Sequence, residues 1–452
     1  MKYNPVEVMK PKLYKDVFPY DEIPKIQFNN IQLPMNIPDE IWITDTTFRD
    51  GQQSMTSMNT EQMVRLYDFL HDLDNESGII KQTEFFLYSQ KDRDAVEKCM
   101  EKGYKFPEIT SWIRATKEDF NLVKSMGIKE TGILMSCSDY HIFNKLNKSR
   151  SEAMKMYLDI AYAALENGIV PRCHFEDITR ADFYGFVVPL AKNLMEMMNE
   201  SKINVKIRAC DTLGLGVSHV GVELPRSVPA IIHGLRYYAG VPAESIEWHG
   251  HNDYYATVTN STTSWLYGGS SVNTTLFGIG ERVGNTPLEA MIIEYAQIKG
   301  NTRTMNLELI NEIEKYFEKE LKYDIPPKTP FVGKEFNVTK AGIHADGLLK
   351  DEEIYNSFDT RKILGKPPLV AINSYSGISS IAYWINSFFG LKGEEKIHKN
   401  DERLLPIKNK IDEEYDNGRT TNISSEEMEN LSNVCIFNNN NNNNYSHEER
   451  AI

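Results

Sequence analysis

From residue 39 onward, short apolar and β-branched runs recur along the chain. They lie near Glu40–Asp45, Ile79–Phe86, Glu108–Ile113, Glu130–Met135, Val170–Phe175, Val205–Ala209, Ser245–Trp248 and Ser271–Leu276. Between most of them run stretches of helical periodicity, such as Ser151–Asn167 and Ala181–Asn199. Strands alternating with helices build βαβ units and a parallel sheet. Eight such units within residues 39–300 predict an α/β fold, a (β/α)8 TIM barrel, with a doubly wound open sheet as the alternative.

The polar residues favour the barrel. Arg49 and Asp50 follow the first run, Glu84 lies in the second and Arg114 follows the third. Glu176 and Asp177 follow the fifth, Asp211 and Thr212 the sixth, and His249 and His251 the seventh. Barrel enzymes assemble their sites at the C-terminal ends of the strands.

The flanks differ from this repeat. Residues 1–38 are rich in Pro, Lys and aromatics without periodicity, which predicts an N-terminal arm packed on the body. Residues 301–395 begin with an amphipathic helix, Leu307–Leu321, and are broken at Pro326-Pro327-Lys-Thr-Pro330. They are expected to form a mostly helical C-terminal subdomain. Residues 396–452 are charged and include the run Asn438–Asn444, a composition that predicts a poorly ordered tail.

Composition narrows the function classes. No run among the 452 residues is long and apolar enough for a transmembrane helix. The first residues lack the apolar segment of a secretory signal. Five cysteines without CxxC spacing suit reduced thiols, so a cytoplasmic protein is expected. A net charge of -14 argues against nucleic acid or an anionic membrane as partner, while leaving an anionic substrate open.

The chemistry-bearing residues cluster by type. His249 and His251 alternate on a strand end and so share a face; with Asp50 they offer two imidazoles and a carboxylate to a divalent metal. The bland alternative is three side chains bonded to backbone. No thiolate is present in this set, which suits Mn²⁺, Mg²⁺, Co²⁺ or Zn²⁺. Asn252 and Asp253 are candidates for orienting the histidines.

Arg49 is placed to stabilise charge developing on a carbonyl oxygen, unless it forms an ordinary loop salt bridge. Glu176 suits acid–base work, holding a ligand water, or a structural hydrogen bond. Arg172 and His174 share its strand face and suit a substrate carboxylate; for Arg172 an internal salt bridge to Glu176 is the alternative. Gly278–Asn285 reads as a phosphate-cradling loop or a bare tight turn. His344, in a glycine-flanked segment, suits a mobile base.

Together, Asp45-Thr-Thr-Phe-Arg-Asp-Gly-Gln-Gln53, His249-Gly-His-Asn-Asp253, Gly278–Asn285 and Gly342-Ile-His-Ala-Asp-Gly347 resemble the acyl-CoA:2-oxo-acid condensing family. That family includes isopropylmalate, homocitrate, citramalate and Re-face citrate synthases. The resemblance covers roughly residues 40–375 and implies acetyl-CoA and a 2-oxo acid as substrates, with Mn²⁺ the expected metal. It implies Asp50, His249 and His251 as metal ligands, Asn285 near the metal, and Arg49 as the polarising arginine. It further implies Glu176 as a catalytic glutamate and Thr212 as a substrate contact, with Arg114, Arg172 and His174 available to a second carboxylate. His344 and Tyr355 match a catalytic pair that a partner subunit delivers, which implies a domain-swapped homodimer.

Departures from the main branches are Phe48 in the first motif, Thr83-Glu84-Phe85-Phe86 at the second strand, and too little chain after residue 395 for a leucine-sensing domain. These fit the Re-face citrate synthase branch, whose acceptor is oxaloacetate. The alternatives are a homocitrate synthase acting on 2-oxoglutarate and, from another class, a metal-dependent acyl-CoA or hydroxy-acid lyase.

Overall fold

A computed structural model describes residues 1–114 and 116–437. Eight parallel strands close into a barrel: β1 Trp42–Asp45, β2 Ile80–Phe86, β3 Glu108–Ile113, β4 Glu130–Ser136, β5 Val170–Glu176, β6 Lys206–Asp211, β7 Ile246–Gly250 and β8 Ser271–Thr274. Closure is the pairing of β1 with β8, Trp42 against Ser271 through Asp45 against Thr274. The intervening helices begin where the sequence supplies caps. Asn59 with Gln62 and Ser149 with Glu152 form capping boxes at the helices Thr60–Asp74 and Arg150–Glu166.

The lumen is filled by charge, where branched apolar side chains commonly stack. Glu84 of β2, Glu130 of β4, Arg172 of β5, Arg208 of β6 and Glu247 of β7 interlock there. Glu84 and Arg172 come from non-adjacent strands, so they meet only in the interior. The alternate residues, such as Phe85, Met135, Phe175, Ile207 and Trp248, are buried among the helices.

The arm packs on this body. Arg150 donates to the Val6 carbonyl at 2.7 Å, Asp139 Oδ2 accepts from Lys12 N at 2.6 Å, and Tyr140 donates to the Leu13 carbonyl at 2.8 Å.

The described residues divide into two compact units, one up to residue 325 and one from residue 326. This boundary lies beyond the expected residue 300, because the helix Leu309–Lys319 belongs to the barrel unit. Its Phe317 meets the Phe277 ring edge-on at 5.0 Å and its Tyr316 meets Phe69 at 5.6 Å. The second unit contains helices Gly342–Lys350, Thr360–Leu364, Ile378–Phe388, Leu404–Asp416 and Ser425–Ser432, with a two-stranded sheet of β9 Val338–Thr339 and β10 Leu369–Val370.

The expected disorder from residue 396 is corrected as far as residue 437. Leu404, Ile407 and Ile411 recur on one helical face and are buried with Ile381, Ile385, Met428 and Ile436. A high average charge concealed this stripe, since an amphipathic helix needs few apolar positions. Asn438–Asn444 lies outside the described residues.

Candidate active site

The segment leaving β1 turns over the top of the barrel as a single wide π-helical turn, Thr47–Gly51. Buried Asp45 holds its base, accepting from Thr47 Oγ1 at 2.5 Å and Thr83 Oγ1 at 2.6 Å. Arg49 and Asp50 therefore project together, with Arg49 Nη1 ion-paired to Asp50 Oδ1. The Arg49 guanidinium lies over the Trp112 ring at 4.9 Å, and its Nε stands 3.9 Å from Glu84 Oε1.

Opposite them, β7 ends in the two histidines. His249 Nε2 is 3.4 Å from Asp50 Oδ2 and 3.3 Å from His251 Nε2. Asn285 Nδ2 donates to Asp50 Oδ2 at 3.2 Å. Asn285 is positioned by the glycine loop before it. Gly284 has φ +94°, and a Cβ there would sit 2.1 Å from the Gly278 carbonyl oxygen.

Electrostatics prepare this cluster for a cation. Burial alone would raise the Asp50 carboxyl, but positive neighbours, the Arg49 guanidinium first, outweigh it and hold it at about 2. Burial and then His249 push His251 down to about 3, and burial lowers His249, so both imidazoles are neutral donors. His251 Nδ1 and Asn285 Oδ1 are buried without a hydrogen-bond partner.

The donor set fits a divalent ion in kind. In arrangement it is a chain of pairs; among the described residues no group of three His, Cys, Asp or Glu forms a ready-made cage. A cation would take Asp50 from Arg49 and from the Asn285 amide. A half-turn of that amide would exchange its nitrogen for its oxygen.

A second cluster surrounds Glu176 at the end of β5. Its carboxylate accepts from Ser136 Oγ, from His141 Nδ1 at 2.9 Å and from Lys145 Nζ at 3.3 Å. Burial opposes ionisation, yet His141, Ser136 and Lys145 hold it at about 2. Such a carboxylate is a weak base and serves as an anchor for His141. Thr212 Oγ1 accepts from the backbone N–H of Asp177 at 2.8 Å, beside this cluster.

Other expected residues lie elsewhere. Arg172 is committed to the lumen, pairing with Glu84 and with Glu130 Oε1 at 3.1 Å; the salt bridge considered with Glu176 does not form. Arg114 faces outward and pairs with Asp119 Oδ2 at 3.3 Å. His174 is buried 3.7 Å from Glu84 Oε2. His344 and Tyr355 belong to the second unit, where their rings lie 4.4 Å apart and are open to solvent.

Sequence reasoning missed Arg208, Glu247, His141 and Asn273. Charges at inner positions of otherwise apolar strands, Arg208 and Glu247, were the available signal. His141 and Asn273 carried none.

The profile of the HMGL-like family matches residues 40–316. The chain belongs to the HMGL-like family. It is 66% identical over 95% of both chains to the citrate (Re)-synthase of Clostridium kluyveri. It is 52% identical to the citrate (Re)-synthase of Syntrophus aciditrophicus, covering 94% of this chain and 67% of that one. It is 35% identical to the 2-phosphinomethylmalate synthase of Streptomyces hygroscopicus, covering 94% and 96%. Among solved structures, the hydroxymethylglutaryl-CoA lyase of Pseudomonas aeruginosa aligns with a TM-score of 0.50 at 17% identity, covering 64% of this chain and 96% of that one. This last likeness concerns the barrel fold alone.

Proposed function

We propose that this HMGL-like enzyme is a citrate (Re)-synthase, condensing acetyl-CoA with oxaloacetate and releasing citrate and CoA. The observation that carries the reading is the near full-length likeness to two citrate (Re)-synthases. The Arg49–Asp50–His249–His251–Asn285 cluster at the barrel mouth supports it.

Asp50, His249 and His251, with Asn285 beside them, would hold a divalent metal, Mn²⁺ by preference, which would supply Lewis-acid polarisation of the acceptor carbonyl. His344, paired with Tyr355, takes a proton from the acetyl methyl group. The methyl carbon then bonds to C2 of oxaloacetate, and Arg49 stabilises the negative charge that moves onto the oxygen there until that oxygen takes up the proton His344 removed. Glu176 stays ionised and orients His141. Water then cleaves the thioester, releasing citrate and CoA.

The working form is a homodimer in the cytoplasm, each subunit's second unit serving its partner's barrel, and the product feeds the tricarboxylic acid cycle. Among the described residues no helix is long and apolar enough to cross a membrane.

The test is thiol release from acetyl-CoA with Mn²⁺, using oxaloacetate, 2-oxoglutarate, 2-oxoisovalerate and pyruvate in parallel. Preference for oxaloacetate supports the reading. Preference for 2-oxoglutarate replaces it with homocitrate synthesis, and silence with all four points to cleavage chemistry.

A further inference from the structure

The lumen below the Asp50–His249–His251 cluster holds more buried nitrogens than it has partners for. Arg208 is fully buried on β6. Its Nε donates to Glu247 and its Nη1 to Glu84 Oε1 at 3.0 Å, while Nη2 has no partner. His174 Nε2 and Arg49 Nε are likewise buried without a hydrogen bond, 3.7 and 3.9 Å from the Glu84 carboxylate.

Glu84 lies among all three but is already used. Its Oε1 accepts from Thr46 Oγ1 and Arg208, and its Oε2 from Arg172. Buried polar groups left unpaired are rare because each loses its hydration without compensation, so a cluster of them calls for an explanation.

The strand register locates the cluster. Arg208 pairs laterally with His174 on β5 and Glu247 on β7, and Cys210, the next inward position, pairs with His249. Arg208 and His174 thus leave their strands one inward layer beneath His249, on the lumen face that an acceptor held at the mouth would meet. The charge of Arg208 reaches both levels: after burial it is the strongest influence lowering His174, and it also lowers His249.

Other cations are unsuited. Lys206 points to Gln82 and Glu130, and Arg114 and Arg282 pair outside the lumen with Asp119 and Asp253. Both Nη atoms of Arg172 are engaged, and its Nε, which makes no hydrogen bond, faces Glu247 Oε2 at 3.7 Å. The His174 ring cannot retreat, because it lies against Gly132, where a Cβ would stand 2.6 Å from its Nε2.

We propose that Arg208, with His174 beside it, seats the distal carboxylate of the acceptor and makes the barrel selective for a short dicarboxylic 2-oxo acid. This rests on the oxaloacetate reading above. Arg208 offers a charged N–H to the carboxylate, and the neutral imidazole of His174 adds a second donor. Pyruvate, without the second carboxylate, leaves both unpaired.

The test is Arg208→Lys, which retains the positive charge while losing the planar fork. In the Mn²⁺-loaded full chain, KM and calorimetric Kd for oxaloacetate are expected to rise ~10–100-fold, while Kd for pyruvate stays constant and kcat changes far less. Unchanged oxaloacetate affinity in a folded variant means that water satisfies these nitrogens, and overturns the proposal. Should Arg208→Lys fail to fold by thermal melting, His174→Asn is read on the same ratio of oxaloacetate to pyruvate affinity, and an unaltered ratio overturns it equally. Wild-type silence toward oxaloacetate would sink the acceptor assignment itself, which separates the two failures.

Discussion

Asn273 Oδ1 on β8 accepts a hydrogen bond from His249 Nδ1 on β7 at 2.7 Å, while its amide nitrogen donates to Thr44 Oγ1 on β1 at 2.9 Å. The amide is oriented from both sides, so His249 carries its proton on Nδ1. Its Nε2 lone pair then faces Asp50 and His251, as a metal ligand must. Of Asn252 and Asp253, also candidates for this role, Asp253 is drawn to Arg282 at 2.8 Å.

Replacing Asn273 by Ala frees the His249 tautomer without removing a ligand. Affinity for Mn²⁺ should fall ~10–100-fold with the fold intact. His249→Ala should abolish both binding and turnover. Calorimetric titration of the metal-free protein checks both, and wild-type affinity in either variant would refute the assignment.

His344 touches little beyond Tyr355 and Thr339 Oγ1, the latter at 3.2 Å. His344→Ala should leave stability within about 0.5 kcal/mol and metal content unchanged. Turnover should drop by ~10²–10⁴-fold. A normal rate would remove His344 from the mechanism.

Arg150 is fully buried and ties Asp139 at 2.8 Å, Asp182 at 3.0 Å and the Val6 carbonyl together. Arg150→Leu strips Asp139 of its charge partner and leaves Asp182 with Lys12 alone, so unfolding in urea should show a loss of about 3–5 kcal/mol. The arm should also become sensitive to protease at lower concentrations than in the wild type.

Stability should have opposing pH limbs. Burial pushes Asp45 and Asp211 up to about 6 and Glu289 up to about 7. These groups bind protons in the folded state first, so stability increases as pH falls from 7 toward the ordinary carboxylate range. For Glu247, burial is outweighed by Arg208 and Arg172, and it sits at about 2, as does Glu176. Their contribution is present above the ordinary range and is lost as pH falls toward 2. Melting temperatures measured from pH 7 to 2 should therefore rise slightly, peak at about 5 and then collapse. A curve falling steadily from pH 7 would contradict the raised carboxyls.

The eight strands were legible within a residue or two, because an apolar run between helical patterns leaves few alternatives. The Arg49–Asp50 turn and the His249–His251 pair were legible from period-two alternation. Arg172 was legible as an inward residue but not as one held by Glu84 and Glu130. The helix Leu404–Asp416 was hidden because the charges around its three buried positions dominate the local average.

The sequence by itself determined the alternation of strands and helices, the face shared by His249 and His251, and the donor chemistry of Asp50. These depend on neighbours along the chain and on residue type. Tertiary structure alone decided that Glu84, Arg172, Arg208 and Glu247 meet in one lumen, that Asn273 sets the His249 tautomer, and that Arg208 keeps an unpartnered nitrogen beneath the site. The contacts among them join residues from separate strands, and only strand pairing and, for Glu84 with Arg172 and Arg208, closure of the barrel bring these within bonding distance.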